Sequence, residues 1–445
     1  MPTKKPQLPK CPSTADLQRT TQKWSEESHN FLNFIHTHVD DAEIFIRHQS
    51  MRGWRFENTQ LRPFLSPIQG ECYIRLFRGG HTIWGRFPLH PPTWYGGVQE
   101  LLKAFPKELV GIYRPPAPQL QHPRPNTFDA RLYDYLGDGL RFQRLAYAMS
   151  DNTWHEGERL QGMKSVQGKI NLHLQHRMVF NLQGQATDAK VYLEGQIQIN
   201  HYLEEERKQL FAPNSFLSWA LMGAHLWRKR AHLKHLNNPQ IGFRSVLLSP
   251  RVLEKILRHR LPFVCTHKHF EPHAQVANPQ LTLTHEPNID GMVASAPFDD
   301  LGRAYSNTPM IVNGVLHQPF SIDPLYAEWS PKGPKAHLSN FFIRPGEISR
   351  SELLQQDPHV IQIENATLEP MQEKKGANFF SLKISEAIDT RGFLLAPHQY
   401  KVSGSLASTL EGAGLLESMQ LSKEVFDTGT AVLPYILCTL YLHPT

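Results

Sequence analysis

The sequence lacks most of what would place a chain in a membrane, in an oxidising compartment or in a nucleotide-binding class. No apolar run reaches the ~18–20 residues that a membrane-spanning helix needs. The opening stretch MPTKKPQLPKCPSTADLQ is basic and rich in proline, without the apolar segment of a secretory signal, so residues 1–15 are expected to be a flexible lead-in. Cysteine is scarce. Cys11, Cys72, Cys265 and Cys438 lie far apart and form no Cys-x-x-Cys pair, which argues for free thiols in a reducing compartment and predicts a cytoplasmic protein. No P-loop, G-x-S-x-G elbow or G-x-G-x-x-G follows a strand, which removes the common phosphate and nucleophile signatures. A strong charge of one sign is missing too. The formal net charge is only +6 over 445 residues, and Lys and Arg are scattered apart from clumps at Arg228-Lys229-Arg230 and Arg258-His259-Arg260. A solvated basic face is therefore expected, and neither nucleic acid nor membrane as a partner.

What is present is ordinary globular composition, 40% hydrophobic and 20% charged, in a chain long enough for two or three cores. A helix is predicted from Asp16 to about Val39, with Phe31, Leu32, Phe34 and Ile35 as its apolar stripe. Strand-like runs follow at Asp41–Gln49, Gly53–Leu65, Gly70–Phe77 and His81–Phe87, and helical spacing returns at Tyr95–Phe105. The alternation in Ala42-Glu43-Ile44-Phe45-Ile46-Arg47 suits a half-buried antiparallel sheet. Tyr113–Asn126 is crowded with proline and reads as an extended linker. Beyond it come a helix over Thr127–Met149, strands at Gly168–Asn181 and Lys190–Asn200, and an apolar segment over Asn214–His235. Ser249-Pro250 then starts a helix, with serine as N-cap, proline in the first position, and Val252, Leu253, Ile256 and Leu257 on one face.

The most informative stretch is Ala296–Gln318. Phe298-Asp299-Asp300-Leu301-Gly302 forms an acidic turn, and Asn313-Gly314 between the apolar runs Pro309–Val312 and Val315-Leu316 is a strong hairpin signal. This pattern resembles the C-terminal domain of the TldD/PmbA family, whose members are also called modulators of DNA gyrase. Further anchors agree in order: the AEIF and GECYIRLF strands, Tyr192–His201, His337–Gly346, Asn378–Lys383, Lys401–Leu410 and Phe426–Leu442. The resemblance implies an α+β fold. Its parts are an N-terminal antiparallel sheet with flanking helices over residues 16–112, a linker over 113–126, a middle α/β segment over 127–241 and a β-rich C-terminal domain over 242–445.

In the TldD branch of that family a zinc motif, His-Glu-x-x-x-His, lies on the helix after the Ser-Pro start. The histidines hold zinc and the glutamate activates its water. Here the corresponding positions are Arg258, His259 and Phe263, none suited to its role, and Pro262 is expected to break the helix. Cys438, in the neighbourhood of that branch's cysteine ligand, reads as a small buried hydrophobe. His155-Glu156 and His285-Glu286 lack a second histidine at the right distance. The segment Cys265, His267, His269, Glu271, His273 could turn its side chains to one side of a strand. Successive ligands would then lie ~6–7 Å apart, wide for zinc bonds of ~2 Å, so a polar surface strand is the preferred reading. Asp299-Asp300 is explained by turn chemistry.

The resemblance thus implies a TldE/PmbA-like subunit with no cofactor of its own. It would complete a TldD-type metalloprotease, the zinc being in the TldD-like partner of a heterodimer, and act on unfolded or precursor peptides. A homodimer is the other assembly considered. Two alternatives remain: a self-sufficient metallopeptidase using the histidine-rich segment, and a regulatory protein acting on gyrase or a toxin–antitoxin pair.

Overall fold

The structure, a computed structural model, describes residues 14–66, 69–105, 133, 137–200, 202–208, 216–231, 233–236, 239–264, 273–289, 291–304, 307–317, 326–370, 379–407 and 414–445. The expected lead-in and the proline-rich linker lie almost wholly outside these residues.

Strands β1 (Asp41–Glu57), β2 (Gln60–Leu65), β3 (Gln69–Arg78), β4 (His81–Phe87), β5 (Val166–Asn181), β6 (Gly184–Ile199) and β7 (Tyr202–Lys208) form a seven-stranded sheet. Its order is β4-β3-β1-β5-β6-β7, with β2 beside β1. β1 and β5 pair antiparallel from Glu43↔Asn181 to Glu57↔Gln167, so strands from both sides of the proline-rich segment share one sheet. That long pairing also carries β1 straight through Ser50-Met51-Arg52, where the sequence suggested a break. The predicted strand Gly53–Leu65 is instead the end of β1, a turn at Asn58 with positive φ, and β2. Helices α1 (Thr14–Ile35) and α2 (Pro92–Lys103) bury Phe31, Leu32, Ile35, Trp94 and Val98 against Ile44, Ile46 and Ile74. Helices α3 (Gly139–Leu160) and α4 (Phe216–Arg230) bury Phe142, Met149 and Trp219 against Trp54, Ile170 and Leu193. The first of these two covers the second half of the predicted Thr127–Met149, whose first half lies mostly outside the described residues, and Asp138 caps it by accepting a hydrogen bond from the Leu140 N–H at 3.0 Å.

The C-terminal part is built on β8 (His235–Leu236), β9 (Gly242–Leu248), β10 (Leu283–His285), β11 (Thr308–Val312) and β12 (Val315–Leu316). A separate hairpin, β13 (Tyr326–Ser330) and β14 (Gly333–His337), precedes β15 (Phe341–Ile343). Then follow β16 (Ile361–Leu368), β17 (Phe379–Asp389), β18 (Leu394–Leu395), β19 (Tyr400–Ser405), β20 (Gln420–Asp427) and β21 (Ala431–Pro444). Apart from the separate hairpin, these strands form a 12-stranded sheet in which β21 lies between β15 and β9 and also pairs β19 and β20. The apolar C-terminal segment is therefore internal to the sheet. In the predicted hairpin, Val312 faces Val315, and Asn313 (φ 48°) and Gly314 (φ 79°) supply the two positive φ angles of a type I′ turn. Helix α5 (Pro250–Val264) packs Val252, Leu253, Ile256 and Leu257 into the core beneath this sheet, and α6 (Arg350–Gln355) and α7 (Leu415–Ser418) are short. Contrary to expectation, α5 continues through Pro262: the proline stands in the last turn, where one lost N–H bond falls near the natural end of the helix.

The acidic turn joins the two sheets. Asp299 acts as turn chemistry predicts, accepting from the backbone N–H groups of Leu301 and Arg303 at 2.9 Å each. Asp300 does something different. It is 2% exposed, accepts from the Trp329 N–H at 2.9 Å and lies 3.6 Å from Arg177 and 3.9 Å from Arg47, both on the N-terminal sheet. Trp329 stacks on Tyr73 at 4.9 Å, and Lys190 Nζ donates to the Val293 carbonyl at 2.7 Å. Burial pushes the Asp300 carboxyl up to about 6, against the pull of the two guanidinium groups.

Candidate functional site

Helix α5 carries its apolar residues to the core and its polar edge to a cleft. Ser249 fixes the start of the helix: its Oγ accepts weakly from the Val252 N–H at 3.4 Å and donates to the Glu364 carbonyl at 2.9 Å, tying the cap to β16. Arg251, Glu254, Lys255, Arg258 and His259 then line a cavity of about 380 Å³, closed by Ala294, His337, Asn365, Thr428 and Thr430.

Arg258 is the best-anchored group there. Its guanidinium donates to the carbonyls of Leu338, Ser339 (3.1 Å) and Thr430 (3.3 Å) and pairs Glu254 at 2.9 Å. The ring of Phe341 lies beneath it at 5.2 Å. Glu254 in turn accepts from the Thr430 hydroxyl. A fixed guanidinium offers no lone pair to a metal ion and repels it, so these residues do not fit a zinc ion at this position. Its neighbours feel the same field. Burial, then Arg260 and Arg258, lower the pKa of His259. His285, 1% exposed and 2.8 Å from the Ser339 hydroxyl through Nε2, is pushed down to about 3 by burial, with His337 and Arg258 adding to it.

A second cavity of about 640 Å³ lies next to the first and shares Arg251, Asn365 and Thr428 with it. Its walls come from β7, α4, the start of α5, β16, β17 and Tyr435. Three ion pairs line it: Arg230 with Glu386, Arg350 with Glu364 at 3.2 Å, and Arg251 with Glu204 at 2.6 Å. Burial pushes Glu386 up to about 7 and Tyr435 up to about 12, and it raises Glu364. Apart from Arg230, named only as part of a basic clump, none of these residues was singled out from the sequence. The available signal was a carboxylate inside each of two apolar strands, Glu364 in IQIENATL and Glu386 in SLKISEAI.

Of the sequence candidates, Arg258 and His259 stand on the cleft, whereas Phe263 lies in the last turn of α5 with no described side chain. Cys265, His267, His269 and Glu271 lie outside the described residues. His273 is exposed, with its ring 5.8 Å from that of His317. Among the described residues, no three His, Cys, Asp or Glu side chains converge as a metal site. Cys438 is buried on β21, its thiol 3.6 Å from the Val246 carbonyl and its pKa raised by burial. His155 and Glu156 stand on α3, where Glu156 pairs Arg159 and Arg228.

Comparison with known proteins agrees with this architecture. The chain superposes on a Thermotoga maritima protein described as a modulator of a DNA gyrase with a TM-score of 0.72 at 15% identity, covering 94% of this chain and 100% of the other. TldE from Thermococcus kodakarensis gives 0.68 at 13% identity, with 94% and 99% covered. A protein from Bacteroides thetaiotaomicron, also described as a modulator of DNA gyrase, gives 0.69 at 12%, with 95% and 99% covered. These likenesses define the class: an α+β protein with the TldD/PmbA fold over nearly its whole length. Residues 246–439 also match the family of the PmbA/TldA metallopeptidase C-terminal domain. Residues 246–439 thus fall in that domain family, and the chain as a whole shares the fold of the three proteins above. No curated protein matches its sequence. Among the described residues no helix is long and apolar enough to cross a membrane.

Proposed function

We propose that the chain is a TldE-like, non-catalytic subunit that completes a cytoplasmic TldD-type metalloprotease acting on unfolded or precursor peptides. The observation that carries this reading is Arg258. The sequence pattern sets it against the first histidine of the zinc motif, and its guanidinium is locked by three carbonyls and Glu254 beside a peptide-sized cleft. Such a helix supports a shared substrate chamber without supplying the metal. The test is peptide hydrolysis by the chain alone, by a His-Glu-x-x-x-His homologue alone, and by the pair. The pair is expected to cleave faster than the homologue, and the chain alone not at all. Metal-dependent cleavage by the chain alone would overturn the reading and favour a self-sufficient peptidase.

A further inference from the structure

Helix α1 meets the N-terminal sheet in two ways. Its second half buries Phe31, Leu32 and Ile35 against the strands, as an amphipathic helix should. Its first half turns a polar stripe inwards. Gln18, Thr21, Gln22 and Ser25, at the three- and four-residue spacing of one helical face, line a cavity of about 490 Å³. The opposite wall is the face of β5 and β6 that carries His176, Met178, Gln185, Thr187 and Ala189. Ser25 Oγ donates to Gln185 Oε1 at 2.7 Å and ties the two walls together, which leaves the Gln185 amide NH2 for another partner. His176 is 9% exposed, and its Nε2 has no hydrogen-bond partner among the described residues. Burial, with His48 adding to it, pushes the His176 pKa down to about 4, so the ring is neutral at neutral pH. Asp188, the one carboxylate among the described residues of the wall, is held at 3.0 Å by Arg177. Arg177 alternates with His176 and Met178 and so points to the other face of the sheet.

We propose that this cavity binds an uncharged sugar of one or two rings. Its size is that of a small-molecule site. A charged ligand would lose its hydration against walls whose carboxylate is already paired. An apolar ligand would leave the carboxamides, hydroxyls and imidazole of the walls without partners. A sugar brings hydroxyls that both donate and accept, which match those groups, and its C–H faces cover Met178 and Ala189. A sugar hydroxyl on the floor of the cavity gives His176 Nε2 the partner that the described side chains do not supply. The site stands apart from α5, and the inference is independent of the partner-subunit reading.

The probes are D-glucose, D-galactose and maltose, with glucose 6-phosphate as the charged counterpart and cyclohexanol as the apolar one, each titrated calorimetrically into the full chain. At least one of the sugars is expected to bind saturably in the millimolar range or tighter, and the two counterparts more weakly than that sugar. Losing one uncharged hydrogen bond corresponds to ~2- to 10-fold in affinity, and a loss of that size is expected in His176→Phe and in Thr187→Val. The second variant keeps the shape of a half-buried side chain and keeps the test readable if the first fails to fold. No saturable binding of any of the sugars, or an affinity unchanged in both variants, overturns the proposal. Glucose 6-phosphate or cyclohexanol bound as tightly as the sugar overturns the ligand class. Neither result touches zinc content or cleavage, so failure here is distinct from failure of the partner-subunit reading.

Discussion

Arg258, on the cleft, and His285, buried behind it, show what single residues contribute. Arg258→Ala would leave Glu254 and the carbonyls of Leu338, Ser339 and Thr430 without their donor. Breaking a partly buried, hydrogen-bonded charge in this way costs ~3 kcal/mol. Arg258→Lys should recover little of it, because an ammonium lacks the planar fork that reaches all four acceptors. Urea denaturation of the two variants measures this; full rescue by lysine would mean that charge alone matters. His285 makes a pH prediction. Its pKa is about 3 in the fold and ~6.5 in the unfolded chain. Its contribution is therefore complete above pH 6.5 and is lost as pH falls towards 3. Between pH 7 and 5, wild type should lose up to ~2 kcal/mol more stability than His285→Gln. Identical pH slopes for the two proteins would show that this histidine protonates freely in the fold.

Among the elements, those specified by local chemistry were legible and those specified by distant partners were not. Asn313-Gly314 and Ser249-Pro250 announce a turn and a helix start because the required backbone angles belong to those residues themselves. β1 was misread because its continuity depends on β5, more than a hundred residues away. Gly53 marks the same dependence. A Cβ there would stand 2.2 Å from the Asn171 Oδ1 and 2.3 Å from the Ile170 carbonyl. Gly53→Ala is therefore expected to destabilise the β1–β5 pairing by ~2 kcal/mol or more, measured as a lower melting temperature, and an unchanged value would contradict the close approach. Asp299 could be read as a turn former, but the ion pairs of Asp300 with Arg47 and Arg177 could not, since they cross between sheets. Likewise most of the cleft was invisible, because its walls come from many segments spread over more than two hundred residues.

At the scale of the whole molecule, the acidic turn couples the two sheets and the outer face of the larger one bears on assembly. Asp300→Ala would leave the 3%-exposed Arg177 with Asp188 but without its partner across the sheets. The expected loss is ~3 kcal/mol, and the unfolding of the two sheets should become less cooperative; one sharp, unshifted transition would show that the contact couples nothing. For assembly, Leu440 in the apolar C-terminal strand is 2% exposed, so Leu440→Asp should unfold the sheet. Phe243 and Tyr441, facing each other across β9 and β21 at 5.2 Å and exposed by 74% and 40%, are the outward apolar pair. If the protein self-associates through this face, Tyr441→Asp should shift sedimentation at micromolar concentration towards monomer without loss of fold. A wild-type monomer would rule out the homodimer.

The central claim is that α5 in this chain supports a metalloprotease without holding its metal, and zinc content tests it most directly. The protein is stripped of metal, reloaded with zinc, freed of excess ion and submitted to elemental analysis. Well under one zinc per chain is expected, because a guanidinium fixed by three carbonyls and a carboxylate stands where the sequence resemblance sets the first motif histidine. About one tightly held zinc per chain, lost on Cys265→Ala or His267→Ala, would contradict the account and move the chemistry to the histidine-rich segment.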